Sequence, residues 1–118
     1  MDAQIISILI ALILNGLDII TGIIGAVVNK NVASGVLRNG LFKKVGFIFA
    51  YLLAFIVDNY GSFIGFDLSV KILPIIILYV AITEVTSIIE NITIINPDLS
   101  FTKLLSIFEI SNDDEEDD

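Results

Sequence analysis

Three long apolar stretches separated by short polar ones predict three membrane-spanning helices. The stretches cover residues 5–28, 45–66 and 72–89, each close to the roughly 20 residues that a helix needs to cross a bilayer. The second stretch becomes polar at Asp58, so this acid is expected near the far membrane interface. Pro74 follows at the start of the third stretch, where the first turn of a helix tolerates a proline.

The first stretch concentrates its polar and small residues on one helical face, given a rotation of about 100° per residue. This candidate polar stripe contains Asn15, Asp18, Thr21, Gly22 and Gly25, and the opposite face is continuous Ile, Leu and Val. An aspartate at the bilayer centre costs about 2.5–3.5 kcal/mol on insertion scales. Each Ile, Leu or Val favours insertion by about 0.3–0.6 kcal/mol. Because their sum exceeds the cost of the aspartate, the segment can insert.

The third stretch contains an acid of its own, Glu84, beside a polar helical face. Asp18 and Glu84 allow two interpretations. They either make polar contacts that fix helix packing, or they line an aqueous opening in an assembled state. The sequence leaves both open, and Glu84 therefore joins the stripe of the first helix as a candidate lumen residue.

Cationic residues cluster between the first two stretches and predict the orientation of the chain. Residues 29–44 form a predicted connector with four of the six cations: Lys30, Arg38, Lys43 and Lys44. Cytoplasmic loops are enriched in Lys and Arg, so these four are topology determinants and place the connector in the cytoplasm. The N-terminus is then expected outside and the C-terminus inside.

A row of small residues follows the basic cluster on the second stretch. Gly46, Ala50 and Ala54 are spaced four residues apart, which puts them on one helical face. Small residues allow two helix backbones to approach closely in lipid. The row therefore predicts close packing, either within one subunit or between subunits.

The C-terminal region is predicted to leave the membrane. Pro97 ends the third helical pattern, and Asp98 can cap an amphipathic helix over residues 99–110, which is too short to span. Residues 111–118 are expected to form a disordered acidic tail. The predicted fold class is an all-α integral membrane protein, with one membrane domain over residues 1–110.

Composition supports a membrane protein and excludes several kinds of site. The 118 residues are 56% hydrophobic and 17% charged, whereas soluble domains average about 25% charged residues. Six of the fourteen acids lie in the terminal run, which accounts for most of the net charge of −8. The chain contains neither Cys nor His, so thiol catalysis and the usual zinc sites are excluded. We expect no enzymatic activity, no cofactor or metal, and no nucleic-acid partner.

Three motifs in order resemble the toxin-secretion and phage-lysis holin family. They are LDIITGIIGA at Leu17–Ala26, SGVLRNGLFKKV at Ser34–Val45 and TEVTSIIENITIINPDL at Thr83–Leu99. Thr83 departs from the family pattern, which usually has Asn before the Glu. The resemblance implies a phage-type holin that accumulates in the bacterial inner membrane and self-assembles. Its holes would release an endolysin, or a large toxin in some relatives, as passive cargo.

Two other functions remain compatible with the sequence. A small accessory subunit of a transporter would use the same small-residue packing without forming holes. A narrow ion channel would conduct ions without passing a folded protein. The three functions differ in whether the chain assembles with itself and in what it releases.

Overall fold

Three long helices make up most of the chain in the computed structural model, which describes residues 2–30, 34–100, 102, 103 and 106. They are α1 (Ala3–Val28), α2 (Ser34–Tyr60) and α3 (Leu73–Ile95), and 3-10 turns occupy Gly61–Ile64 and Pro97–Leu99. No strand occurs among the described residues. All three helices are long and apolar enough to cross a membrane, so the predicted all-α architecture with three spans is confirmed.

Helix α2 begins at Ser34, earlier than the start at residue 45 that hydropathy predicts. Most of the predicted connector is therefore helical, and Arg38, Lys43 and Lys44 lie on α2. Arg and Lys are good helix formers, so the helix continues through them. Hydropathy marks the point where the chain becomes apolar, which here lies more than two turns inside the helix.

A polar cap joins α2 to α3 at the far end of the bundle. The Asp58 carboxylate accepts hydrogen bonds from the backbone N–H groups of Ile72 at 2.8 Å and Leu73 at 2.7 Å. Lys71 Nζ donates to the Asp58 carbonyl at 2.7 Å. Asp58 therefore satisfies the free N–H groups at the start of α3, and Pro74 lies in the first turn.

The connection between α2 and α3 turns sharply at two glycines. Gly65 adopts a φ of 92°, which L side chains rarely adopt. A Cβ atom at Gly61 would lie 2.8 Å from the carbonyl oxygen of Phe66, too close for any side chain. The turn therefore depends on glycine at both positions.

Helix α3 runs to Ile95, further than the predicted end at residue 89, and Pro97 follows. Beyond it, the backbone N–H of Lys103 donates a hydrogen bond to Ser100 Oγ at 3.2 Å. Ser100 therefore makes the capping contact that was predicted for Asp98. Thr102, Lys103 and Ser106 are helical, and the other residues of the predicted amphipathic helix after Ser100 and the acidic tail lie outside the described residues.

The bundle buries a small core and exposes aliphatic side chains over its outer surface. Helix α1 packs mainly along α3, and α2 contacts each of them less. The buried apolar residues are Ala11, Tyr51, Ala54, Leu73 and Val80. Large apolar residues on all three helices remain more than half exposed, such as Ile13, Leu53 and Leu78. An apolar outer surface of this extent is suited to lipid.

Candidate functional site

A cluster of three charged side chains joins the three helices in the interior of the bundle. Lys44 Nζ on α2 donates a hydrogen bond of 2.7 Å to Asp18 Oδ2 on α1. The same atom lies 3.4 Å from Glu84 Oε1 and 3.3 Å from Glu84 Oε2 on α3. The side chains of Lys44, Asp18 and Glu84 are only 10%, 12% and 2% exposed. This charged triad ties each helix to the other two.

Asn91 extends the triad toward one end of α1 and α3. Its Nδ2 donates to Asp18 Oδ1 at 2.9 Å and to Thr21 Oγ1 at 3.0 Å. Thr21 Oγ1 in turn donates to the Leu17 carbonyl at 2.7 Å. Asp18 therefore uses one carboxylate oxygen for α2 and the other for α3.

A neutral pair lies on the other side of the triad along α1. Tyr51 on α2 donates from its hydroxyl to Asn15 Oδ1 at 3.0 Å. Asn15 is 4% exposed, and its Nδ2 has no hydrogen-bond partner among the described residues. Glu84 Oε2 also lacks a hydrogen-bond donor there, although it lies within ion-pair distance of Lys44.

The triad carries a formal charge of −1, because two carboxylates face one ammonium group. Charged groups inside a membrane are costly unless they are paired or reach water. Lys44 lies within ion-pair distance of both carboxyl groups but can balance the charge of only one. The arrangement can hold the helices together in lipid, and it can also be hydrated if the helices part.

Two cavities lie in the gap between α1 and α2. One, of about 410 Å³, is lined by Asp18, Lys44, Ser87 and Asn91 together with apolar residues of α1 and α2. The other, of about 380 Å³, is almost entirely apolar and lies between residues such as Leu12 and Ile48. Both open onto the outer surface of the bundle, so they are grooves along the contact of α1 with α2 and not enclosed voids.

Comparison with protein-family models shows which family this chain belongs to. Residues 2–110 match the model of the bacteriophage holin family. The chain belongs to that family. Comparisons with curated proteins and with solved structures find no match. The resemblance of the three sequence motifs is therefore confirmed, and the chain is a holin-type membrane protein.

The candidate polar stripe of this holin faces the interior of the subunit. A Cβ atom at Gly22 would lie 3.5 Å from Asn91 Nδ2, and one at Gly25 would lie 3.5 Å from Ile94 Cγ2. These two glycines lie against α3, whereas Asn15 bonds to α2. The structure thus brings the stripe and Glu84 together around Lys44, in one subunit.

The row of small residues on α2 is divided between the interior and the surface. Ala54 is 1% exposed and belongs to the core, whereas Ala50 is half-buried. Gly46 is exposed, and a Cβ atom there would meet no other atom within 4 Å. Gly46 and Ala50 are therefore available at the surface, and Ala54 packs within the subunit.

The four predicted topology residues also occupy different environments. Lys30, Arg38 and Lys43 are exposed, and Lys43 Nζ lies 6.0 Å from the centre of the Phe47 ring. Only Lys44 is buried. The sequence did not predict the ion pairs of Lys44 or the hydrogen bonds that Tyr51 and Asn91 donate to α1. A signal was available, because Lys44 and Tyr51 are seven residues apart and share a helical face.

Proposed function

We propose that this holin-family protein self-assembles in the bacterial cytoplasmic membrane and forms holes that release an endolysin or a large toxin. The observation that supports the proposal most is the charged triad, enclosed by helices whose outer surface suits lipid. A hole wide enough for a folded protein needs a surface that faces water. Ionisable residues within a membrane mark functional sites by default, and this network contains one ionisable residue from each of the three spans.

Several subunits are needed to form such a hole. Three helices cannot enclose a passage for a folded protein, so the opening has to lie between copies of the chain. In that assembly Asn15, Asp18 and Glu84 would face water, and the Ile and Leu surface would remain in lipid. The net charge of the triad favours this arrangement, because water stabilises the uncompensated carboxylate.

Controlled expression in a bacterium tests the proposed function. Membrane potential and release of a cytoplasmic reporter enzyme are followed together, with an unrelated three-span protein expressed at the same level as control. We expect sudden loss of potential accompanied by release of the enzyme. Loss of potential with the enzyme retained would indicate a narrow channel, and no effect on either would favour an accessory subunit.

Assembly is expected to depend on the part of the row of small residues that lies outside the core. Ala50→Leu should weaken oligomers and delay release without changing insertion, because it prevents close approach of a second helix. Ala54→Leu should instead destabilise the subunit by about 1–3 kcal/mol, because it overpacks the core. Crosslinked ladders and unfolding curves of both variants measure these effects. Ladders and release times like those of the parent for Ala50→Leu would exclude this surface from assembly.

The proposed orientation has the N-terminus outside and the C-terminus in the cytoplasm. The exposed cations Lys30, Arg38 and Lys43 support it, since all three lie at or near the connector between α1 and α2. Alkaline phosphatase fused after Asp118 should be inactive, and a fluorescent protein fused there should fluoresce. An active phosphatase at that position would reverse the orientation.

A further inference from the structure

The contacts of α2 differ in extent from those between α1 and α3. Helices α1 and α3 pack closely along their lengths, with Gly22 and Gly25 allowing Asn91 and Ile94 to approach α1. Helix α2 has fewer contacts with either, and the two cavities lie between α2 and α1. Lys44 and Tyr51 attach α2 by polar side-chain bonds, and Tyr51 and Ala54 also contribute to the apolar core. Asn91 of α3 likewise donates hydrogen bonds to α1.

We propose that α2 separates from an intact pair of α1 and α3 when the hole opens, and that the surfaces exposed by this separation become the wall of the hole. The inference rests on the proposed function. It specifies which residues contact water: Asn15, Asp18 and Glu84 on the pair, and Lys44 and Tyr51 on α2. Gly22 and Gly25 stay packed against α3.

The physical reason is the different fate of polar and apolar contacts when water enters. A hydrogen bond or ion pair that breaks in water is replaced by bonds to water, so its net contribution is small. Close apolar packing has no such replacement, and separating it exposes apolar surface to water. The polar contacts of α2 are thus strong in lipid and weak in water, whereas the more extensive apolar packing of α1 on α3 resists the entry of water.

The movement is expected to be largest at the end of α2 that begins at Ser34. At the opposite end, the Asp58 carboxylate caps α3 and Lys71 donates to the Asp58 carbonyl, so this end remains attached. The cavity of about 410 Å³ extends along the other end, between residues such as Ala26 on α1 and Gly40 on α2. Helix α2 would pivot about the Asp58 contacts and widen this cavity.

Two crosslinked variants of the full chain, which has no cysteine of its own, distinguish the two interfaces. Gly25→Cys with Ile94→Cys joins α1 to α3 by a disulfide, because a Cβ atom at Gly25 would lie 3.8 Å from Ile94 Cβ, the mean separation in disulfides. Ala26→Cys with Gly40→Cys joins α1 to α2 across the cavity through a bifunctional maleimide with a reducible spacer. A Cβ atom at Gly40 meets nothing within 4 Å, so the substitution fits.

Release of an entrapped reporter enzyme from reconstituted vesicles is the measurement. The disulfide between α1 and α3 should leave release unchanged. The bridge between α1 and α2 should reduce release to that of protein-free vesicles, and reduction of its spacer should restore it. Each single-cysteine variant treated with the same reagent is the matched control.

The contrary outcomes separate this inference from the proposed function. If the disulfide abolishes release, or if the bridge has no effect, α2 does not separate from an intact pair and the inference is wrong. If the unmodified chain releases no enzyme at all, the proposed function is wrong and the inference fails with it.

Discussion

Lys44→Met is expected to destabilise the folded bundle by about 3–5 kcal/mol, the cost of removing one partner from a buried ion pair. The substitution keeps the side-chain length and leaves Asp18 and Glu84 facing each other without a cation. Both carboxylates are largely buried, and Lys44 is the only cation that pairs with them among the described residues. Unfolding of the purified protein in detergent, followed by circular dichroism, measures the loss.

Lys43→Met is the matched control for this substitution. It removes the same charge from the neighbouring position, where the side chain is exposed. If Lys44 served only to set the orientation of the chain in the membrane, the two variants would be equally stable. The structure instead predicts that Lys43→Met is close to the parent in stability. Equal stability of the two variants would contradict a structural role for the ion pairs of Lys44.

Replacing both acids of the triad by their amides should cost more than the two single replacements together. Asp18→Asn leaves Lys44 paired with Glu84, and Glu84→Gln leaves it paired with Asp18, so each single variant contains a neutral pair. We expect each to cost about 1 kcal/mol, the net contribution of a hydrogen bond. The double variant leaves Lys44 buried without an acid, at a cost of about 3–5 kcal/mol.

A double-mutant cycle of unfolding free energies measures this coupling. Adding Lys44→Met to the double amide removes the last charge, and stability should then return toward that of the parent. Asp18→Asn should be the costlier single change, since Asp18 makes the 2.7 Å bond to Lys44 and also accepts from Asn91. If the double variant lost little unfolding free energy, and no more than the sum of the two single losses, Lys44 would not depend on either acid.

The sequence by itself determined the three spans and the presence of acids within them. Hydropathy over a window of about 20 residues and a rotation of about 100° per residue are local properties. They were enough to predict that Asn15 and Asp18 share a face of α1 and that Pro74 begins α3. Three motifs in order were also enough to indicate the family, which the match over residues 2–110 confirmed.

The helix ends were predicted less well, for a physical reason. An apolar stretch predicts only the part of a helix that lies in lipid. Helix α2 extends beyond its apolar stretch, through basic residues, and begins at Ser34. Because Arg38, Lys43 and Lys44 lie on a helix, their directions differ around its axis. The positive-inside rule only counts these cations, so it does not distinguish the buried Lys44 from the exposed Arg38 and Lys43.

Only the tertiary structure decided which partner each of these residues meets. Lys44 is buried because the rotation of α2 brings it between Asp18 of α1 and Glu84 of α3, residues distant in the sequence. The same rotation places Ala54 in the core and leaves Gly46 at the surface. The sequence predicts polar faces on the first and third helices and a basic cluster on the second, but which of them meet depends on the packing of all three helices at once.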